Sequence, residues 1–146
     1  MIRLPPESSI LGGHRVTTGR QVPFCLFTDP EFARIGFSET EAKTRGITYR
    51  SARIPMAAVL RTRTLSEPRG FMKALIDTGS DRILGFTVFW VEAGEIMASV
   101  QVAMLAGLPY TALRDAIFTL PTLLEGLNAL FANVPSAVAA ELQRAA

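Results

Sequence analysis

With 146 residues, 49% of them hydrophobic and 19% charged, the chain has the length and apolar content for one domain with its own core and is too short for two ordinary ones. Its net charge of +2 arises from arginines spread along the sequence and interleaved with acids, so no basic block tracks a phosphate backbone and nucleic-acid binding is not expected. The single cysteine, Cys25, excludes an intrachain disulfide, a Cys-x-x-Cys pair and a multi-thiolate metal site, and the single histidine, His14, stands alone in a Gly-rich stretch where a solvated loop residue is expected rather than a metal ligand.

Residues 1–20 hold prolines, serines and glycines with little periodicity and read as an extended arm or linker, without the continuous apolar run and cleavage site of a secretory signal. A cytoplasmic protein is the expectation. From Gln21 the pattern tightens. Val22 to Phe27 is an apolar run that reads as a buried strand, with Cys25 as a small buried thiol. Thr28-Asp29-Pro30 is a turn, after which Glu31 to Phe37 continues toward Ser38-Glu39-Thr40-Glu41. Ser followed three residues later by Glu is a capping box, so a short helix is predicted to open here and to stop at Gly46.

Thr48 to Pro55 alternates as a half-exposed strand, and Arg61 to Pro68 is polar and turn-rich. Phe71 to Ile76 and Ile83 to Trp90 then flank Asp77-Thr78-Gly79-Ser80-Asp81, which predicts a β-hairpin. Glu92 and Glu95 place carboxylates at the positive end of a long helix. Its apolar residues, Ile96, Met97, Val100, Val102, Ala103, Met104 and Leu105, cover most of its circumference, so burial on two sides is expected. The uncharged run from Ile96 to Leu113 and a mean hydropathy of +0.28 raise a membrane span, but Gly107-Leu108-Pro109 interrupts the run, and a buried helix followed by a turn is the better reading.

Tyr110 to Ala116 reads as a further short helix. Leu120-Pro121-Thr122-Leu123-Leu124-Glu125 follows, with Thr122 and Glu125 in the spacing of a second capping box and Pro121 ending what precedes. The helix predicted from Thr122 carries Leu123, Leu127 and Leu130 on one face, which packs inward or onto a partner, and residues 132–146 form a small-residue tail.

Several of these segments match one family in order. Pro23-x-x-x-Phe27-Thr28-Asp29-Pro30-Glu31, Ala33-x-Ile35-Gly36, Glu39-x-Glu41-Ala42, Gly70-Phe71 with Lys73, Ile83-Leu84-Gly85, Ala93-Gly94-Glu95 and Pro121-Thr122-x-x-Glu125 resemble the C-terminal dimerisation domain of the pyridine nucleotide-disulfide oxidoreductases, the glutathione reductase, dihydrolipoamide dehydrogenase and mercuric reductase family. The resemblance implies an α+β domain over residues 21–131, with an antiparallel sheet of four to five strands and helices on one face. It implies a homodimer in which Leu123, Leu127 and Leu130 supply interface contacts. It also implies a cytoplasmic flavoprotein setting in cell redox homeostasis.

In the family the last motif begins with His, which exchanges a proton with a redox-active thiol of the opposite subunit while the Glu orients it. Leu120 stands at the His position and cannot titrate, which leaves Glu125 as the family's catalytic carboxylate without its partner. A plain helix cap is the alternative reading of Glu125. No Gly-x-Gly-x-x-Gly follows a strand, so FAD and NAD(P) are implied for the full-length family and not for these residues. Two functions remain open: a non-catalytic dimerisation module, or the C-terminal part of a split or truncated flavoprotein oxidoreductase, active only with a flavin-binding domain or chain. Neither gives the chain alone an activity. Membrane association is not expected.

Overall fold

The computed structural model describes residues 20–136; the expected arm and most of the expected C-terminal tail lie outside them. Five strands form one antiparallel sheet in the order β1-β2-β5-β4-β3: β1 Phe24–Leu26, β2 Phe32–Gly36, β3 Tyr49–Pro55, β4 Phe71–Asp77 and β5 Ile83–Phe89. The central hairpin of β4 and β5 pairs Met72 with Val88 and Ala74 with Phe86, and the flanking strands bring Ile54 and Ala33 to the same rows. Period-two alternation thus sends Ala33, Ile35, Ala52, Ile54, Met72, Ala74, Ile76, Phe86 and Val88 to one face, all buried in a single cluster. The antiparallel sheet and the hairpin follow the sequence reading.

Helices α3 (Ala93–Leu105), α4 (Tyr110–Arg114) and α5 (Glu125–Ala132) close that face. Ile96, Met97, Val100 and Met104 of α3 join Leu127, Leu130 and Phe131 of α5 in the core. The end of α3 is set by Gly107, at φ +66, where Leu108 N–H donates to Ala103 O and Gly107 N–H to Met104 O, the paired bonds of a Schellman motif. The predicted stop at Gly107-Leu108-Pro109 is therefore real, and no helix among the described residues is long and apolar enough to cross a membrane.

Helix α1 (Glu39–Thr44) opens on the capping box expected at Ser38: Glu41 N–H donates to Ser38 Oγ at 3.1 Å and Ser38 N–H to Glu41 Oε2 at 2.8 Å. Its first turn reaches the other face of the sheet through an ion pair between Glu39 and Lys73 at 2.7 Å.

Four local expectations need correction. Val22 to Phe27 is not a buried strand: β1 is three residues long, pairs on one side only, and leaves Phe24 and Leu26 exposed, with Cys25 half-buried. Arg61 to Pro68 is not all turn, because Leu60–Thr64 forms helix α2 after a 3-10 turn at Met56–Ala58, and the buried Thr62 hydroxyl ties the two by donating to Met56 O and Val59 O. Helix α3 is not buried on two sides within a single subunit, since Val102 and Leu105 are 67% and 68% exposed. Thr122 caps no helix: α5 starts at Glu125 behind Leu124, and the Thr122 hydroxyl donates instead to Thr119 O at 2.7 Å. The Thr-x-x-Glu spacing did not make a box because Pro121 and its neighbours hold residues 115–124 in an irregular path.

Candidate functional site: the segment before helix α5

The candidate site is the irregular segment from Asp115 to Leu124 and the helix that follows it. Helix α5 packs flat onto β4 and the 3-10 turn because Gly126 has no side chain; a methyl group there would lie 2.7 Å from both Met72 Cε and Val59 Cγ2. Leu127 and Leu130, on the same helix, are fully buried in the chain's own core. Within one subunit the apolar stripe of α5 is thus spent on its own sheet, and the helix turns Ala129 and Ala132 outward. Leu123 is partly buried against the same cluster.

Glu125, the predicted orienting carboxylate, is half-buried, and its Oε1 accepts the Leu60 N–H at 3.0 Å. It therefore serves an open N–H at the start of α2, a partner 65 residues away that no local spacing could reveal. Glu125 Oε2 is buried and accepts no hydrogen bond from the described residues. Leu120 is 67% exposed and joined to Pro121 by a cis peptide bond. It brings no titratable group to the segment, and Ile117 beside it is fully exposed.

Two polar residues near this segment were not singled out from sequence. Asn128 donates its side-chain amide to Leu113 O, Arg114 O and Ala116 O, each at 2.9 Å. Arg50, buried on β3, bonds Pro135 O at 3.1 Å, pairs with Asp81 and lies over the Tyr110 ring at 5.5 Å, so one guanidinium joins the hairpin turn, α4 and the chain beyond α5. A half-buried Asn inside an apolar helix was the one available signal for the first; for Arg50 the signal was a charge at a buried position of an alternating strand.

An open groove of about 600 Å³ runs beside the segment, bordered by Arg61 and Leu65, by Glu92, Glu95 and Ser99 of α3, and by Pro121 to Leu124. Elsewhere, the Cys25 thiol has a raised pKa, first through burial and then through the Glu31 carboxylate, against the lowering effect of the Gly94 N–H. A thiol held in its neutral form is a poor nucleophile.

The described residues do not fit FAD or NAD(P). Dinucleotide cradles need a parallel strand, a glycine turn and a helix pointing its N-terminus at the pyrophosphate, whereas every strand pair here is antiparallel.

An antiparallel sheet roofed by helices on one face, ending in an apolar helix preceded by a segment with Ile117 and Leu120 exposed, is an α+β domain rather than a parallel dinucleotide-binding one. Residues 22–130 match the family described as pyridine nucleotide-disulphide oxidoreductase, dimerisation domain, and the chain belongs to that family. It is 39% identical over 130 residues to the probable pyridine nucleotide-disulfide oxidoreductase RclA of Escherichia coli (strain K12), covering 88% of this chain and 30% of that protein. Mercuric reductase of Shigella flexneri is 32% identical over 120 residues, 82% of this chain and 21% of that one. Among solved structures, the HOCl-induced flavoprotein disulfide reductase RclA from Escherichia coli superposes with a TM-score of 0.83 at 37% identity, over 89% of this chain and 30% of that one. The chain thus spans under a third of the length of these relatives.

Proposed function

We propose that the chain is a homodimerising interface domain that offers the segment Ile117 to Leu124 to a second subunit and takes no part itself in proton transfer. The observation that carries this reading is the pairing of an exposed Leu120 with a Glu125 whose carboxylate is engaged by the Leu60 N–H. A carboxylate that anchors a helix start and has no imidazole beside it among the described residues has nothing there to orient. The exposed apolar residues of the helix layer, Val102, Leu105, Leu108, Ile117 and Leu120, supply the contacts that Leu127 and Leu130 cannot. Closed two-fold association would bury that patch against its own copy.

The 30% share of RclA supports a second reading, in which these residues work as the C-terminal part of a longer flavoprotein disulfide reductase, with FAD and NAD(P) held by its other domains. Both readings give the 146-residue chain no hydride chemistry of its own, because hydride transfer needs a bound cofactor.

Sedimentation equilibrium at micromolar concentration, together with an NAD(P)H oxidation assay on wild type and Leu120→His, tests the proposal. The expected result is a dimer without NAD(P)H oxidation in either form, since a restored base has no redox-active cysteine pair to serve. A monomeric wild type overturns the interface role, and NAD(P)H oxidation by the chain overturns the non-catalytic one.

A further inference from the structure

Between Ala116 and Thr122 no backbone-to-backbone hydrogen bond forms among the described residues, yet this stretch carries the exposed Ile117 and Leu120. Something other than backbone pairing must hold it. The last carbonyls of α4 lack helical partners by construction, and so does the chain that leaves it. Asn128 fills that gap: its Nδ2 lies 2.9 Å from Leu113 O and Arg114 O at the end of α4 and 2.9 Å from Ala116 O in the segment itself. An amide nitrogen carries two hydrogens, so at least one is shared between carbonyls, and three acceptors around one atom fix which end of the amide is nitrogen.

The other end of the segment enters α5 at Glu125, anchored by the Leu60 N–H. Glu125 and Asn128 are three residues apart and lie on one face of the helix. Every other side chain of α5 is apolar or absent, and Gly126, Leu127, Leu130 and Phe131 are buried in the core. The two polar residues of the helix are both used on chain that lies outside it.

We infer that Asn128 is the positioning residue of the segment Asp115 to Leu124: it ties the end of α4 and the start of the segment to α5, while Glu125 fixes the start of α5 against α2, so that Ile117 and Leu120 are presented as an apolar ridge toward a second copy of this chain. The clamp deepens the dimer reading and rests on it only for the identity of what the ridge meets. Ordering the ridge before association removes part of the entropy that binding would otherwise cost.

The test uses the full chain with Asn128→Ala and Asn128→Asp, read by hydrogen exchange of the peptides over 113–124 and by the dimer dissociation constant. Loss of the amide should speed exchange about tenfold at the hydrogen-bonded amides of these peptides, such as the Asp115 N–H on Thr111 O at the end of α4, and raise the dissociation constant by a similar factor, with exchange in β4 and β5 unchanged. Asp should be at least as damaging as Ala, because it turns an oxygen toward three carbonyl oxygens. A residue that only filled space would give the opposite order, Asp being nearly isosteric with Asn, and that order overturns the inference. Unchanged exchange over 113–124 in Asn128→Ala overturns it as well, whatever happens to the dimer. Faster exchange with an unaltered dissociation constant removes the ridge from the interface and overturns its assignment to a second copy. If the wild type is monomeric, the dimer reading fails and the exchange data alone decide the clamp. Should neither variant fold, the Asn128 side-chain amide protons of the wild type decide it: slowed at least tenfold against a free amide they support the clamp, and at the free rate they overturn it.

Discussion

The Ser38 hydroxyl accepts the Glu41 N–H while the Glu41 carboxylate accepts the Ser38 N–H, so two open donors at the start of α1 are met reciprocally. The Ser38 N–H first, then its hydroxyl, holds the Glu41 carboxyl below the ordinary glutamate range, with Arg34 adding to both. Removing the hydroxyl by Ser38→Ala should cost about 1 kcal/mol in urea unfolding, the usual loss of an N-cap. Thr122 offers the contrast. Its hydroxyl donates to Thr119 O in a partly exposed segment and caps nothing, so Thr122→Ala should stay within about 0.5 kcal/mol of wild type. A Thr122 effect as large as that of Ser38 would restore a helix start there. Gly126 is the more sensitive position: a methyl group at 2.7 Å from the Met72 and Val59 side chains must displace those side chains or shift α5. Gly126→Ala should therefore lower stability by about 1–3 kcal/mol, the range for overpacking a close contact, and a gain in stability would show that α5 does not sit this close.

At the scale of elements, the β4–β5 hairpin combines a largely buried strand pair with an acid-sensitive turn. The Ser80 hydroxyl, at 2.6 Å, and then the Ser80 N–H, at 2.8 Å, lower the pKa of Asp77 where β4 ends. A carboxyl whose folded pKa lies below its unfolded value stabilises the protein above the unfolded pKa, and the contribution disappears as pH falls through the folded one. Thermal stability should thus decline below about pH 4 for both Asp77 and Glu41, and Ser80→Ala should flatten the part due to Asp77. A decline of equal depth in Ser80→Ala would assign the acid sensitivity elsewhere. This hairpin, α1 and the α3 stop were all legible in the sequence because each is fixed by local chemistry: alternation around Asp77 to Asp81, a capping box, a glycine at φ +66. What was not legible is what depends on distant partners. The start of α2 is completed by Glu125 and the start of α3 by Glu31, whose carboxylate accepts the Gly94 N–H from 63 residues away. The site followed the same division. The exposed Leu120 could be placed by motif, whereas the bonds of Asn128 to a helix two elements earlier, and the inward turn of Leu127 and Leu130, required the fold.

For the whole molecule, the question is which apolar surface a second subunit would cover in the proposed dimer. Helix stripes are assigned by what lies under them. Leu127 and Leu130 rest on the sheet with no exposed area, so Leu127→Asp would bury a charge with no partner in the core and should give unfolded or aggregated chain whether or not a dimer exists. That variant cannot report on association. Leu105 can, being 68% exposed at the end of α3, one residue before the helix gives way to the Gly107 turn, so that an aspartate there remains in water in the monomer. In a two-fold dimer the same residue enters the interface twice, and like charges meet where an apolar contact had been. Leu105→Asp should therefore unfold at nearly the wild-type denaturant midpoint when compared as monomer, while its dimer dissociation constant rises by about a hundredfold or more, the loss expected for an interface anchor. Sedimentation velocity across a concentration series measures the second quantity directly. A Leu105→Asp chain that dimerises as tightly as wild type would move the interface off α3, leaving Ile117 and Leu120 and the exposed edge at Phe24, Leu26 and Phe27 as apolar surfaces among the described residues for a partner to cover.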